Sequence, residues 1–251
     1  MNMKYLSATL FAVNVLLLPG TAFSQLKQNT SSGEQLNLTF NIKAGDATVV
    51  PGNTYTNPFG ETYTVQKFRF YIAQILLEDS TNTSEQFFPD DYFLVDAGDT
   101  GSRTITVPIS IKHLTAVSFL VGVDSVANVS GTQTGALDPA NGMFWTWNTG
   151  YIMLKLDGTS PAAKVPGNAF SLHVGGYKTG ENATRKIGYL IRHSQKQAVH
   201  NIVFNVDINK LFNGAYPIKI AEHPLCHQPG ALAMQLADNY ATMFSLGQVS
   251  K

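Results

Sequence analysis

Residues 36–42 read Leu-Asn-Leu-Thr-Phe-Asn-Ile. Leu36, Leu38, Phe40 and Ile42 alternate with Asn37, Thr39 and Asn41, the period of an extended strand with one face in a core and the other in water. Similar runs, rich in β-branched and aromatic residues, return at 65–77, 92–95, 104–107, 117–123, 144–156, 169–174, 186–191 and 202–208. Clusters of Gly, Asn, Asp and Pro separate them. The series predicts an all-β chain folded as an antiparallel β-sandwich. Helical spacing is confined to Leu232, Leu236, Tyr240 and Met243, with Pro229 placed to open the first turn, so one short C-terminal helix is expected on the sheet. Short turns fit 111–115 and 208–213.

Composition narrows the function. The chain has 251 residues, 44% hydrophobic and 14% charged, enough apolar surface for a large core and too much for a disordered chain. Lys plus Arg and Asp plus Glu both number 17, so the formal net charge is zero and no basic footprint for nucleic acid or an anionic membrane exists. The single cysteine, Cys226, excludes an intrachain disulfide and a four-cysteine zinc or iron–sulfur site.

The first 24 residues read as a secretory signal. Lys4 gives the positive start, residues 6–18 an apolar run, Pro19 and Gly20 a break, and Ala22-Phe23-Ser24 a cleavage site before Gln25. The run is shorter than the roughly 20 residues of a spanning helix, so a cleaved, periplasmic or secreted bacterial protein is expected, with no membrane span after cleavage. No cysteine follows it to carry a lipid anchor. Residues 25–35 are a polar leader, and 36–251 form one domain without repeats or an internal linker.

Hydrolase and nucleotide signatures are absent: there is no G-x-S-x-G elbow, H-E-x-x-H helix or G-x-x-x-x-G-K-[ST] loop. The unusual stretch is 135–151, GALDPANGMFWTWNTGY, which holds both tryptophans, Trp145 and Trp147. On one extended strand they share a face, either filling a core or forming a paired-indole platform for sugar or redox chemistry. Among six histidines, His173 lies opposite the apolar stripe Phe170, Leu172 and Val174 and just before Gly175 and Gly176. His223, Cys226 and His227 in EHPLCH offer further soft or borderline metal donors. His193 and His200 flank a polar turn and read as solvated; His113 has no distinguishing pattern. Asp124 with Asn128 can either orient a histidine or brace a loop, and Asp138 before Pro139 reads as a cap.

The segments YIAQILL (71–77), FLVGVD (119–124), Asn128 with Gly131, 135–158, LHVGG (172–176), VDI (206–208) and ADNYATMF (237–244) resemble, in the same order, the MbnP-like family of exported copper-binding proteins from methanobactin gene clusters. The resemblance implies a non-enzymatic copper-binding β-protein acting in copper acquisition or handling. It also implies a dihaem partner of the MauG or cytochrome c peroxidase type, which oxidises a tryptophan to a kynurenine-type product at the copper site. Carried onto this chain, Trp145 or Trp147 is the modified residue, with Trp145 preferred. His173 is the first ligand, His223 the second, and Cys226 and His227 are additional donors. Related copper proteins place a histidine two residues after the modified tryptophan; Trp147 and Asn148 occupy that stretch here. Two other readings stand beside this one. One is a carbohydrate-binding or adhesin-like sandwich stacking sugars on Trp145, Trp147 and Tyr151. The other is a zinc hydrolase built on His173, His223 and Asp124.

Overall fold

The alternation at residues 36–42 is realised as a strand whose apolar side chains are sealed: Leu36, Leu38 and Phe40 have no exposed surface and Ile42 only 1%. In this computed structural model the described residues are 33–251, except 82, 149 and 193–197. The expected signal segment, residues 25–32 of the leader and His193 lie outside them. Along the chain the strands are β1 (Gln35–Ala44), β2 (Ala47–Thr48), β3 (Thr54–Thr56), β4 (Thr62–Thr64) and β5 (Lys67–Asp79). They continue as β6 (Ser84–Asp96), β7 (Thr104–Pro108), β8 (Ala116–Val121), β9 (Phe144–Trp145) and β10 (Gly150–Thr159). The last are β11 (Ala169–Gly175), β12 (Arg185–Leu190), β13 (Asn201–Asp207), β14 (Leu225–Cys226) and β15 (Phe244–Ser250). Three helices are present among the described residues: α1 (Ser125–Val129), α2 (Asn209–Phe212) and α3 (Ala231–Ala241).

Of three sheets among the described residues, one runs β15-β13-β1-β2, with β7 also on β1; a second runs β12-β8-β5-β10-β11-β14, with β6 on β5 and β9 on β10; and β3 and β4 form a two-stranded third. The all-β sandwich with a short C-terminal helix is therefore present. Most pairings are antiparallel, but β1 with β13 and β11 with β14 run parallel. Their inner faces meet in a knot of phenylalanines. Phe40 stacks on Phe204 at 5.4 Å between centroids and meets Phe70 at 5.9 Å, Phe119 at 5.8 Å and Phe244 at 6.4 Å edge to face. Phe70 and Phe119 belong to the opposite sheet, so this cluster joins the two layers, in the edge-on geometry that aromatic quadrupoles favour.

Three local departures from the expected pattern have physical causes. Gln74 sits at φ 48°, and β5 shifts register against β6 and β8 there, so the buried positions change from the row of Phe68, Phe70 and Ile72 to that of Ile75 and Leu77. The stretch 144–156 is not one strand: it breaks after Trp145 and returns at Gly150, with Trp145 opposite Gly150 and Phe144 opposite Tyr151. Pro229 does not open the helix; Gly230, at φ 138°, is its N-cap, and Pro229 lies one residue outside. Helix α3 is held by buried groups: the Tyr240 hydroxyl donates to the Ala183 carbonyl, and Asn239 Nδ2 donates to Leu211 and Tyr216 at 2.9 and 2.8 Å.

Replacing Phe40 with alanine is expected to cost about 3–5 kcal/mol in chemical denaturation, because the hole opens between two sheets that cannot both close on it. Phe87, 51% exposed on β6, tolerates the same change within about 0.5 kcal/mol. Equal losses at the two positions would refute the placement of the core.

Candidate metal centre

Strands β10 and β11 set Lys155 opposite His173 and Asp157 opposite Ser171. Leu154, Leu156, Leu172 and Val174 fill the inner face, which sends Lys155, Asp157, Ser171 and His173 to the outer one. Strand β14 adds on the far side of β11, parallel, with Leu225 beside Ser171 and Cys226 beside Leu172. The next position in this register is His227 beside His173, and their imidazole centroids are 4.8 Å apart at an interplanar angle of 35°.

The sequence expectation of His223 as second donor is thus not met by contact. His223 lies four residues before His227, in the loop that leads into β14. It is exposed, with its backbone N–H donating to the Lys219 carbonyl at 2.9 Å. Cys226 is buried on the inner side with Leu172, facing away from both imidazoles, because adjacent strand positions point to opposite faces. Burial pushes its thiol up to about 11, against a hydrogen bond from the Gln228 backbone.

The carboxylate that orients His173 is Asp157, which sequence reading did not single out. His173 Nε2 is 2.7 Å from Asp157 Oδ1 and 2.9 Å from Ser171 Oγ, and the Ser171 hydroxyl donates to the same Oδ1 at 2.6 Å. Burial pushes the Asp157 carboxyl up, but hydrogen bonds from His173 and Ser171 and the attraction of His173 and Lys155 outweigh it, leaving it below its ordinary value. An ionised carboxylate only accepts, so Nε2 carries a ring proton, and in the neutral imidazole Nδ1 is the nitrogen left with a lone pair. Nδ1 makes no hydrogen bond among the described residues. This is the arrangement by which a carboxylate fixes a metal-binding imidazole. It is not a nucleophilic triad, where hydroxyl and carboxylate use opposite ring nitrogens. His227 is held below its ordinary value by burial first, then by His173 and Lys155, with Asp157 opposing. Lys155 is lowered by burial despite its Asp157 neighbour, and its Nζ donates to the Gly142 carbonyl at 3.1 Å.

Asp124 and Asn128 serve the scaffold. Asp124 caps α1, accepting from the backbones of Val126 and Ala127, and also accepts from the Tyr92 hydroxyl. Asn128 is buried, donating to the Val123 and Asp124 carbonyls at 2.7 and 2.9 Å and accepting from the Tyr151 backbone at 2.8 Å. None of these bonds reaches a histidine. Asp138 caps a short turn by accepting from Ala140 N at 2.8 Å. His200 Nδ1 lies 3.1 Å from the Gln35 carbonyl.

The loop carrying the tryptophans is tied down through its own carbonyls. Tyr71 donates to Ala136 at 3.1 Å, Tyr151 to Leu137 at 2.9 Å and Arg69 Nη1 to Asn141 at 2.7 Å. Trp145, 6% exposed, then lies over Gly175: a Cβ there would come 2.6 Å from its Cζ3 and 2.8 Å from its Cη2. Gly175 is two residues along β11 from His173, so the indole packs on the strand that carries His173. Gly176 is required for another reason, φ 130° with the Glu181 carbonyl 2.2 Å from where a Cβ would stand. Trp147 is on the turn after β9, 64% exposed, its ring 5.6 Å from that of Trp145 at 40°. Tyr151 is fully buried, so Trp145, Trp147 and Tyr151 do not form a shared stacking surface. His173, His223 and Asp124 are likewise not brought together. Among the described residues, no three His, Cys, Asp or Glu side chains are grouped to hold a metal ion. No helix among them is long and apolar enough to cross a membrane.

A family model described as MbnP matches residues 33–228. Among solved structures, MbnP from Methylosinus trichosporium aligns with 15% identity and a TM-score of 0.56, over 86% of this chain and 98% of that one. At that identity the likeness shows the fold. No curated protein matches the sequence.

Two outcomes test the geometry. Cys226 is expected to resist iodoacetamide at pH 8, where only about a thousandth of a thiol with its raised value is ionised, and to react once guanidinium unfolds the chain. Rapid labelling of the native protein would contradict the inward placement. Gly175→Ala, made in a Trp147→Phe background, is expected to displace the remaining indole and shift its fluorescence to the red; an unchanged spectrum would contradict the contact.

Proposed function

This chain belongs to the MbnP family, and from that premise we propose that it is an exported copper-binding protein acting in copper acquisition or handling, not itself an enzyme. The observation that carries the reading is the outer-face cluster of His173 and His227 beside the shielded indole of Trp145. Two imidazoles suit copper in either oxidation state, and Asp157 leaves His173 Nδ1 as a donor. The donor set fits copper as far as two nitrogens. A third donor is what the family's chemistry supplies: an indole is a poor ligand, whereas a kynurenine-type residue offers an aryl amine and a carbonyl. In this reading Trp145 is oxidised by a dihaem partner of the MauG or cytochrome c peroxidase type in the periplasm or outside the cell. His173 and His227 hold the ion, and Asp157 fixes the His173 tautomer. His223 and Cys226 take no part.

The test is intact mass and peptide mapping of protein from its native host, with copper content measured on the same sample. The expected result is a tryptophan-to-kynurenine mass change on Trp145 and one copper per chain; an unmodified Trp145 with no retained copper would overturn the reading. In that native background His173→Ala is expected to weaken copper binding by on the order of 100-fold or more, and Asp157→Asn by about 10–100-fold. Full affinity in His173→Ala would move the site elsewhere.

A further inference from the structure

Trp145 is 6% exposed, so an oxidant the size of a protein cannot lay its redox group on that ring. Trp147 lies directly outside it, 64% exposed, with the ring centroids 5.6 Å apart. Exposed tryptophans are uncommon, and this one is placed on a turn whose flanks are fixed, by the pairing of Trp145 with Gly150 and by the anchored loop before it. We propose that Trp147 is the electron port of the site, through which Trp145 is oxidised without being touched. The proposal rests on the reading of Trp145 as the modified residue.

The relay balances as two one-electron events. An oxidant of the high-valent haem class, docked at the surface, takes one electron from the Trp147 indole and is reduced by one unit. The Trp147 radical cation then takes one electron from Trp145, which returns Trp147 to its closed shell and leaves the vacancy on Trp145. No bond forms or breaks in either event, and both indole protons stay in place. The two phenols that anchor the loop, Tyr151 and Tyr71, are poor outlets for the vacancy. Oxidising a phenol requires loss of its proton, and the hydroxyls of Tyr151 and Tyr71 donate to the Leu137 and Ala136 carbonyls, which accept a hydrogen bond but are not bases.

The test uses a small outer-sphere oxidant, tris(bipyridine)ruthenium with persulfate under a light flash, on full-length wild type, Trp147→Phe and Trp147→Tyr, with oxidation at Trp145 mapped by peptide mass. Trp145 is expected to be oxidised in wild type and to fall to the dark-control level both in Trp147→Phe and in Trp147→Tyr, where the exposed phenol loses its proton to water on oxidation and the resulting radical is too weak an oxidant to take an electron from an indole. Both variants are expected to keep the wild-type unfolding midpoint, which a merely structural role for this exposed ring would lower. Equal oxidation of Trp145 in wild type and Trp147→Phe would overturn the proposal, and so would its absence from all three proteins. Copper titration of wild type from the native host reports separately on the metal reading, so either can fail alone.

Discussion

A strand sends successive side chains to opposite faces, and on the β10–β11–β14 edge of the larger sheet that rule separates packing from chemistry. Leu154, Leu156, Leu172, Val174 and Cys226 go inward; Lys155, Asp157, Ser171, His173 and, one register step along, His227 go outward. A slip of one residue in either pairing would bury charges and expose the core, so the hydrophobic effect that fixes the register also fixes the spacing of the polar cluster. The phenylalanine knot at Phe40 holds the sheets in place beneath it.

The outer face is closed by a loop that contributes carbonyls rather than side chains to its anchors. Arg69 and Lys155, which would otherwise sit as partly buried charges, are each given a carbonyl acceptor, Asn141 and Gly142. Arg69 is also paired with Asp96 at 2.7 Å. Hydrogen bonds to charged groups are stronger than neutral ones, so the loop is held where its next residues, Phe144 and Trp145, must enter a hairpin. Sheet chemistry and loop position are therefore coupled through the same two cations.

What the sequence made legible is what depends on near neighbours. The half-buried strand at 36–42, the offset of His173 from its apolar stripe and the cap at Asp138 each follow from a few adjacent residues. The choice between His223 and His227 does not, because it is made by the parallel register of β14 on β11, between segments some fifty residues apart. Asp157 was hidden for the same reason: its partner lies across a strand pair, and along the chain LKLDG reads as a strand approaching a turn. Several segments that carry the family resemblance turn out to be scaffold. Asp124 is a cap, Gln74 a bulge, and Asp238, Asn239 and Tyr240 pair with Arg185 or with backbone groups around α3. The break after Trp145 lies where the sequence reads Thr-Trp-Asn-Thr before Gly150, a mostly polar interruption between two apolar runs that fits a bulge as well as a turn.

The parallel pairing of β1 with β13 bears on the order in which the molecule can assemble. β1 gains β2 and β7 from the first half of the chain, but its other edge waits for residues 201–207, and β13 is itself covered only by β15 near the C-terminus. Until then Leu36, Leu38 and Phe40 belong to an incomplete sheet with an open edge, the kind of surface that pairs with the wrong chain. Closure over such sequence distances is slow, so the smaller sheet is completed late and only by the last strands of the chain.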